Sequence, residues 1–348
     1  MYYFNCDYTE GALPEVLDAL VASNRTPQFG YGEDEYTASA AEKIKAACNA
    51  PDADILLVVG GTQANSLILK SILRPHQGVI AADTGHIAVH ESGAVEATGH
   101  KVMTLPGTDG KISSAEIRAA FESHYADPTH EHMVQPGAVY ISQPTELGTL
   151  YTREEIEAIH AVCKAYNVPL FVDGARLAYA LAVPLSRPLT LEHLAANCDV
   201  FYIGGTKCGT ICGEAIVIIN DALKKDFRSI AKQHGALLAK GRLLGVQFDA
   251  LFTDDLYVNA CKKAVSHALH IKKAFEVFNA PVSASRTNQQ FPALTDAQIE
   301  FLSKRFVFEQ WHRYDETRTV CRFCTSWSTS DEAVAALLAD IQIMPQPE

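Results

Sequence analysis

The chain has 348 residues and a formal net charge of −12, with 48% hydrophobic and 20% charged residues. That length and composition suit one large and one smaller globular unit, and the acidic balance argues against broad binding to nucleic acid or anionic membrane. Nine cysteines, an odd number, are scattered along the chain, so neither a disulfide framework nor a metal site is expected, and reduced thiols in the cytoplasm are the simplest reading.

Residues 1–15 carry no basic n-region and no apolar run, which predicts no secretory leader. Residues 54–59 read as a buried strand and 64–73 as a helix. Residues 79–82 form a short strand. A helix over 113–124 opens with Ser113 and Glu116 in capping-box spacing. Residues 138–142 are a strand, and 152–166 a helix opened by Thr152 and Glu155. Residues 170–172, 200–203 and 215–219 are apolar on both faces, as strands covered by helices are. This alternation predicts an α/β fold around a mainly parallel sheet. The pattern changes after about residue 245. Residues 254–279 read as one long helix. Short segments come next at 290–294, with Pro281 shortly before, then at 306–309 and 320–325, and a helix at 331–340 closes the chain. A large unit over 1–250 and a smaller α+β unit over 251–348 are expected, with the N-terminal stretch a candidate to join the smaller one.

Three strand ends and a few isolated residues carry candidate chemistry. In Leu170-Phe171-Val172-Asp173-Gly174-Ala175-Arg176 an apolar strand runs into an acid, a glycine and an arginine. Asp-Gly is also an ordinary turn signal. In Phe201-Tyr202-Ile203-Gly204-Gly205-Thr206-Lys207 a second strand ends in small residues and a lysine, which alone reads equally as solvated. Together they change the picture. Pyridoxal 5′-phosphate (PLP) needs a lysine amine for its aldehyde and an ionised acid against its pyridine nitrogen. In Val58-Val59-Gly60-Gly61-Thr62 a strand passes through two glycines into a helix start, whose N–H groups suit a phosphate. It is neither G-x-G-x-x-G nor a Walker A loop. His86 is either an ordinary histidine or a ring lying flat on the pyridine. His130 and His132 flank Glu131 with no third metal ligand evident. Arg322 opens a β-rich segment as a solvated arginine or a carboxylate clamp.

Taken in order, these segments resemble the low-specificity threonine aldolases of the aspartate-aminotransferase superfamily. The resemblance runs from Phe4 to about Trp327. It rests on Asp7, Tyr31-Gly32-x-Asp34, Gly61-Thr62-x-Ala64-Asn65, His86 with Glu91-x-Gly93-Ala94, and Thr145-Glu146-x-Gly148-Thr149. Asp173-Gly174-Ala175-Arg176, Thr206-Lys207, Lys232-Gln233-x-Gly235, Arg322 and Trp327 complete it. It implies fold type I of the PLP-dependent transferases, with a mainly parallel seven-stranded sheet flanked by helices and a smaller C-terminal α+β domain. It implies cleavage of threonine, allo-threonine or related β-hydroxy amino acids to glycine and an aldehyde, by a homo-oligomer with a dimer as minimal unit and a tetramer as assembly. Lys207 would bond the cofactor aldehyde, Asp173 pair with the pyridine nitrogen and His86 stack on the ring. Gly61 and Thr62 would hold the phosphate, with Lys232 from a neighbouring subunit, and Thr206 and Arg176 would also contact the cofactor. Arg176 and Arg322 would grip the substrate carboxylate, and Tyr31 would reach across the dimer interface. Cys6 stands where many members have a carboxylate-binding serine, and Glu146 where some have a histidine near the β-hydroxyl. A water, His86 or Glu146 are the candidates for the base. Another lyase or racemase on the same fold is the runner-up. A PLP-binding protein without turnover comes third, because it would need neither Lys207 nor Asp173.

Overall fold

The computed structural model describes residues 1–278, 280 and 283–346. β1 (Tyr2–Tyr3) stands apart from the main sheet. That sheet comprises β2 (Asp54–Val58), β3 (Gln77–Ala82), β4 (Val102–Leu105), β5 (Gln135–Ser142), β6 (Leu170–Asp173), β7 (Val200–Gly204) and β8 (Glu214–Ile218). Its order is β2-β8-β7-β6-β5-β3-β4. β3 to β7 are mutually parallel, and β8 alone is reversed, antiparallel to both β2 and β7. The reversal stems from the link: β7 returns as β8 through residues 205–213 without a helix, and so short a connection joins only antiparallel neighbours.

Every residue of β6, β7 and β8 is buried, as expected for strands with helices on both faces. Side chains alternate between two cores. Val172 and Phe201 face one; Phe171, Tyr202 and Ile216 face the other. Both foreseen capping boxes form, at Ser113 with Glu116 and at Thr152 with Glu155. The helix expected from residue 64 begins earlier and spans Gly61–Ile72, which brings Gly61 and Thr62 into its first turn. The edge strand β4 was not foreseen. It is short and only partly buried, so its apolar pattern is weak.

The long helix spans Leu256–Val277. Its expected end at Asn279, and Pro281 beyond it, lie outside the described residues. The expected segment 290–294 is two strands, β9 (Gln289–Gln290) and β10 (Ala293–Thr295), and 306–309 divides into β11 (Phe306–Val307) and β12 (Glu309–Arg313). Pro292 separates the first pair, since a proline has no N–H for the ladder. With β13 (Arg318–Cys324) they form an antiparallel sheet, β10-β13-β12, with β9 also on β13. β1 pairs in parallel with β11, Tyr2 opposite Phe306, as a separate two-stranded sheet beside the four-stranded one. Phe4, Phe275, Phe306 and Phe323 share its core. All nine cysteines are free. Among the described residues, no helix is long and apolar enough to cross a membrane.

Candidate active site

The carboxyl ends of β6 and β7, the start of β8 and the helix Gly61–Ile72 meet at one cleft of about 280 Å3. Open α/β sheets place ligands at such strand ends. Two glycines make the meeting possible. A Cβ on Gly174 would collide with the Tyr202 carbonyl oxygen, and one on Gly204 with the Ala175 carbonyl oxygen. Asp-Gly is therefore a site of close backbone approach rather than a left-handed turn.

Asp173 ends β6 with both oxygens engaged. Oδ2 accepts from Tyr140 Oη at 2.7 Å and Asn65 Nδ2 at 3.1 Å. Oδ1 accepts from Tyr202 Oη at 2.5 Å and the Ala175 N–H at 3.0 Å. Burial alone would raise this carboxyl, but the His86 ring and these donors hold it below the usual range. Lys207 lies in the β7–β8 link. Burial, then the Arg176 guanidinium, push its amine down, against the pull of Asp7, Asp173 and Glu214. Such a shift favours the neutral form, which is the nucleophile.

Gly60 caps the helix Gly61–Ile72 without a side-chain hydrogen bond, so its first N–H groups stay free, and Gly61 and Thr62 line the cleft. Thr206 lines it too, and its Oγ1 accepts from the Gly213 N–H at 3.0 Å. His86 opens the turn His86–Val89. Its N–H donates to Glu146 Oε1 at 2.9 Å, and Ser142 Oγ donates to that oxygen at 2.6 Å. Burial, with a further push from Asp173, raises the Glu146 carboxyl.

A second compartment of about 290 Å3 shares Tyr8, His86, Glu146, Arg176 and Lys207 with the first and adds His90, Glu309, Trp311 and Arg322. Arg322 Nη2 meets Glu309 Oε2 at 2.6 Å and the Asn5 carbonyl oxygen at 2.9 Å. Arg176 Nε and Nη2 reach Asp7 at 2.7 and 3.0 Å, and Asn288 Nδ2 adds a bond to Asp7 at 2.9 Å. The Asp7 carboxyl is held down by Arg176 despite its burial. The structure thus brings Lys207, Asp173, His86, Glu146, Gly61, Thr62, Thr206, Arg176 and Arg322 to one place. Cys6 is buried but does not line the described cleft; Tyr8, two residues on, does. Tyr31 and Lys232 stand elsewhere, stacked on each other with Nζ 4.1 Å from the ring centre.

Glu214, at the start of β8, was missed. It is buried, lines the cleft and accepts from the Gly205 N–H at 3.1 Å. Burial raises it to about 8, against the pull of Lys207. Its folded value lies above the ordinary 4.5. The folded chain therefore keeps a proton that the unfolded chain releases, and stability falls as pH rises through that window. Glu214→Gln has no such proton and should flatten the fall. Thermal melts of the cofactor-free chains from about pH 5 to about pH 9 check this, and parallel curves would contradict it.

These groups fit pyridoxal phosphate: an ionised carboxylate fixed by four donors, a buried amine pushed down from its ordinary value, and free backbone N–H groups at a helix start. Fold and site define a PLP-dependent enzyme of fold type I. The family model for beta-eliminating lyases matches residues 6–302, and the chain belongs to that family. It is 32% identical over 348 residues to a low specificity L-threonine aldolase of Pseudomonas sp., across 97% of this chain and 96% of that protein. A solved threonine aldolase of Leishmania major superposes with a TM-score of 0.95 at 42% identity, across 98% and 99% of the two chains. Aspartate aminotransferase of Thermus thermophilus, at 14% identity and a TM-score of 0.72 over 98% of this chain and 90% of its own, shares the fold.

Proposed function

We propose that this enzyme cleaves threonine, allo-threonine and related β-hydroxy amino acids to glycine and an aldehyde by a retro-aldol reaction. The observation that carries the reading is the convergence of one amine, one ionised carboxylate and two guanidinium groups on a single cleft. The two threonine aldolases similar along the whole chain support it.

Bound PLP supplies an electron sink for the bond broken at Cα. Lys207 would hold its aldehyde carbon, Asp173 its pyridine nitrogen, and Gly61, Thr62 and Thr206 its phosphate. Arg322 and the remaining Arg176 nitrogen would grip the substrate carboxylate and so set which Cα bond stands upright. As Cα–Cβ breaks, the β-hydroxyl proton must leave and a proton must reach Cα. His86 fits the acceptor, since its Nδ1 is taken by Glu91. Glu146, pushed up by burial, fits a proton store beside it. Lys232 and Tyr31 would act in the site of a neighbouring subunit. Tyr31 is nearly half exposed, with its carbonyl fixed by Arg228 at 2.8 Å. This reading carries with it a dimer as the minimal active unit, a tetramer as the assembly, the cytoplasm as compartment, and a division near residue 250. Light scattering that returns a monomer would remove the shared site.

Product analysis with PLP and a panel of β-hydroxy amino acids tests the reaction. Acetaldehyde and glycine from threonine support it. The family description favours β-elimination as the second reading, and 2-oxobutyrate with ammonia would establish that instead. Arg322→Ala checks the clamp. Loss of a charged hydrogen-bond pair worth about 1.5–3 kcal/mol should lower kcat/KM by about 10- to 150-fold. It should also raise deuterium uptake at Cα per aldehyde released. An unchanged KM with an unchanged uptake ratio would leave Arg322 outside the substrate site.

A further inference from the structure

Glu91 and Asn65 belong neither to the clamp nor to the cofactor cradle, yet both are buried and both join groups that line the cleft. Asn65 lies in the helix Gly61–Ile72, and Glu91 just past the turn His86–Val89. One nitrogen, Asn65 Nδ2, donates to Glu91 Oε1 at 2.7 Å and to Asp173 Oδ2 at 3.1 Å. The same Glu91 oxygen meets His86 Nδ1 at 2.7 Å. A carboxylate offers only lone pairs, so that contact requires a proton on Nδ1. A continuous path of bonds then runs from His86 through Glu91 and Asn65 to Asp173. Among the described residues no group bonds His86 Nε2.

The path leaves Glu91 Oε2 and Asn65 Oδ1 buried without partners. Two apolar side chains would fill that space without unmet oxygens, so packing does not account for an acid and an amide there. What the pair does accomplish is to fix one ring and one carboxylate relative to each other. Across the cleft, His86 also faces Glu146, Asp173, Arg176, Lys207 and Arg322, and its neighbour His90 at 5.6 Å between ring centres. Of these, Glu91 alone engages Nδ1.

We propose that Glu91, tied to Asp173 through Asn65, is a positioning residue that holds the His86 proton on Nδ1 and so presents Nε2 to the cleft as a proton acceptor. The second half rests on the retro-aldol reading; the tautomer does not. The arrangement parallels the way a buried acid orients a histidine in hydrolase triads.

Nitrogen-15 spectra of histidine-labelled enzyme report the tautomer directly, with His86→Asn identifying the signal. At about pH 8.5, above the ordinary histidine range, the wild type should show a protonated Nδ1 and a bare Nε2. In Glu91→Gln the amide oxygen can take the place of Oε1 and keep both donors, so the tautomer should persist. In Glu91→Ala the acceptor is gone, the proton should move largely to Nε2, and kcat should fall about 10- to 100-fold with KM changed less than about twofold. A protonated Nε2 in the wild type, or an unchanged tautomer in Glu91→Ala, overturns the proposal. The wild-type spectrum alone can refute it, even if Glu91→Ala fails to fold. A tautomer that shifts as expected, in a protein that releases no glycine from any β-hydroxy amino acid, supports the positioning role and removes the retro-aldol reading.

Discussion

Replacing Lys207 with alanine is expected to lower turnover by about a thousandfold or more, the scale set by losing a group that both bonds the cofactor and moves protons. The expectation rests on where the amine sits. Burial and the Arg176 guanidinium push Lys207 down, which favours the neutral, nucleophilic amine. Its backbone is fixed as well, because Tyr179 Oη donates to the Lys207 carbonyl at 2.7 Å. Borohydride reduction of the wild type, with peptide mass spectrometry afterwards, should find a pyridoxyl group on Lys207. The variant should bind PLP more weakly and carry no such label. A label on another lysine, or turnover within tenfold of wild type, would displace Lys207 from its role.

Asp173→Asn is expected to keep some PLP but lose about 100- to 1000-fold in kcat, the range seen when one fixed electrostatic partner of a reacting group is removed. A neutral amide cannot hold the pyridine nitrogen protonated. It also fits its pocket badly. Asp173 accepts from two donors on each oxygen, and an asparagine presents an NH2 to one of those pairs. Each unmet buried donor costs about 1–3 kcal/mol, so the variant should melt at a lower temperature than the wild type. Measuring kcat, cofactor absorbance and melting temperature together separates the two effects. A variant that melts lower but keeps wild-type kcat would reduce Asp173 to a structural residue.

Much of this site could be read from the sequence because its parts lie at the ends of strands buried on both faces. Runs such as Leu170-Phe171-Val172 and Phe201-Tyr202-Ile203 announce themselves, and the polar residues just beyond them, Asp173 and Lys207, stand out. The contacts that tune those residues were not legible. Asp7 and Arg176 pair across 169 positions, and no local pattern joins them. Glu214 reads as a polar residue opening a strand, whereas the reversal of β8 turns it into the cleft. Ser285, Thr287, Asn288, Gln289 and Gln290 are polar in sequence yet buried in the structure. They serve as hydrogen-bond partners for the N-terminal segment and the small sheet, a purpose that composition alone does not reveal. The β4 edge was missed because an edge strand half open to solvent has little apolar signal.

The pairing of β1 with β11 has a consequence for how the chain is made. Tyr2 and Tyr3 leave the ribosome long before the strand they join at Phe306 and Val307. Asn288, which helps fix Asp7 against Arg176, is also translated late. The large sheet can assemble while synthesis continues, since its strands all precede residue 219. β1 must wait, unpaired, until β11 has been made. Completion of the proposed carboxylate clamp therefore waits on the synthesis of Asn288 and Arg322, and a chain released before residue 288 would carry the proposed cofactor cradle with an open flank.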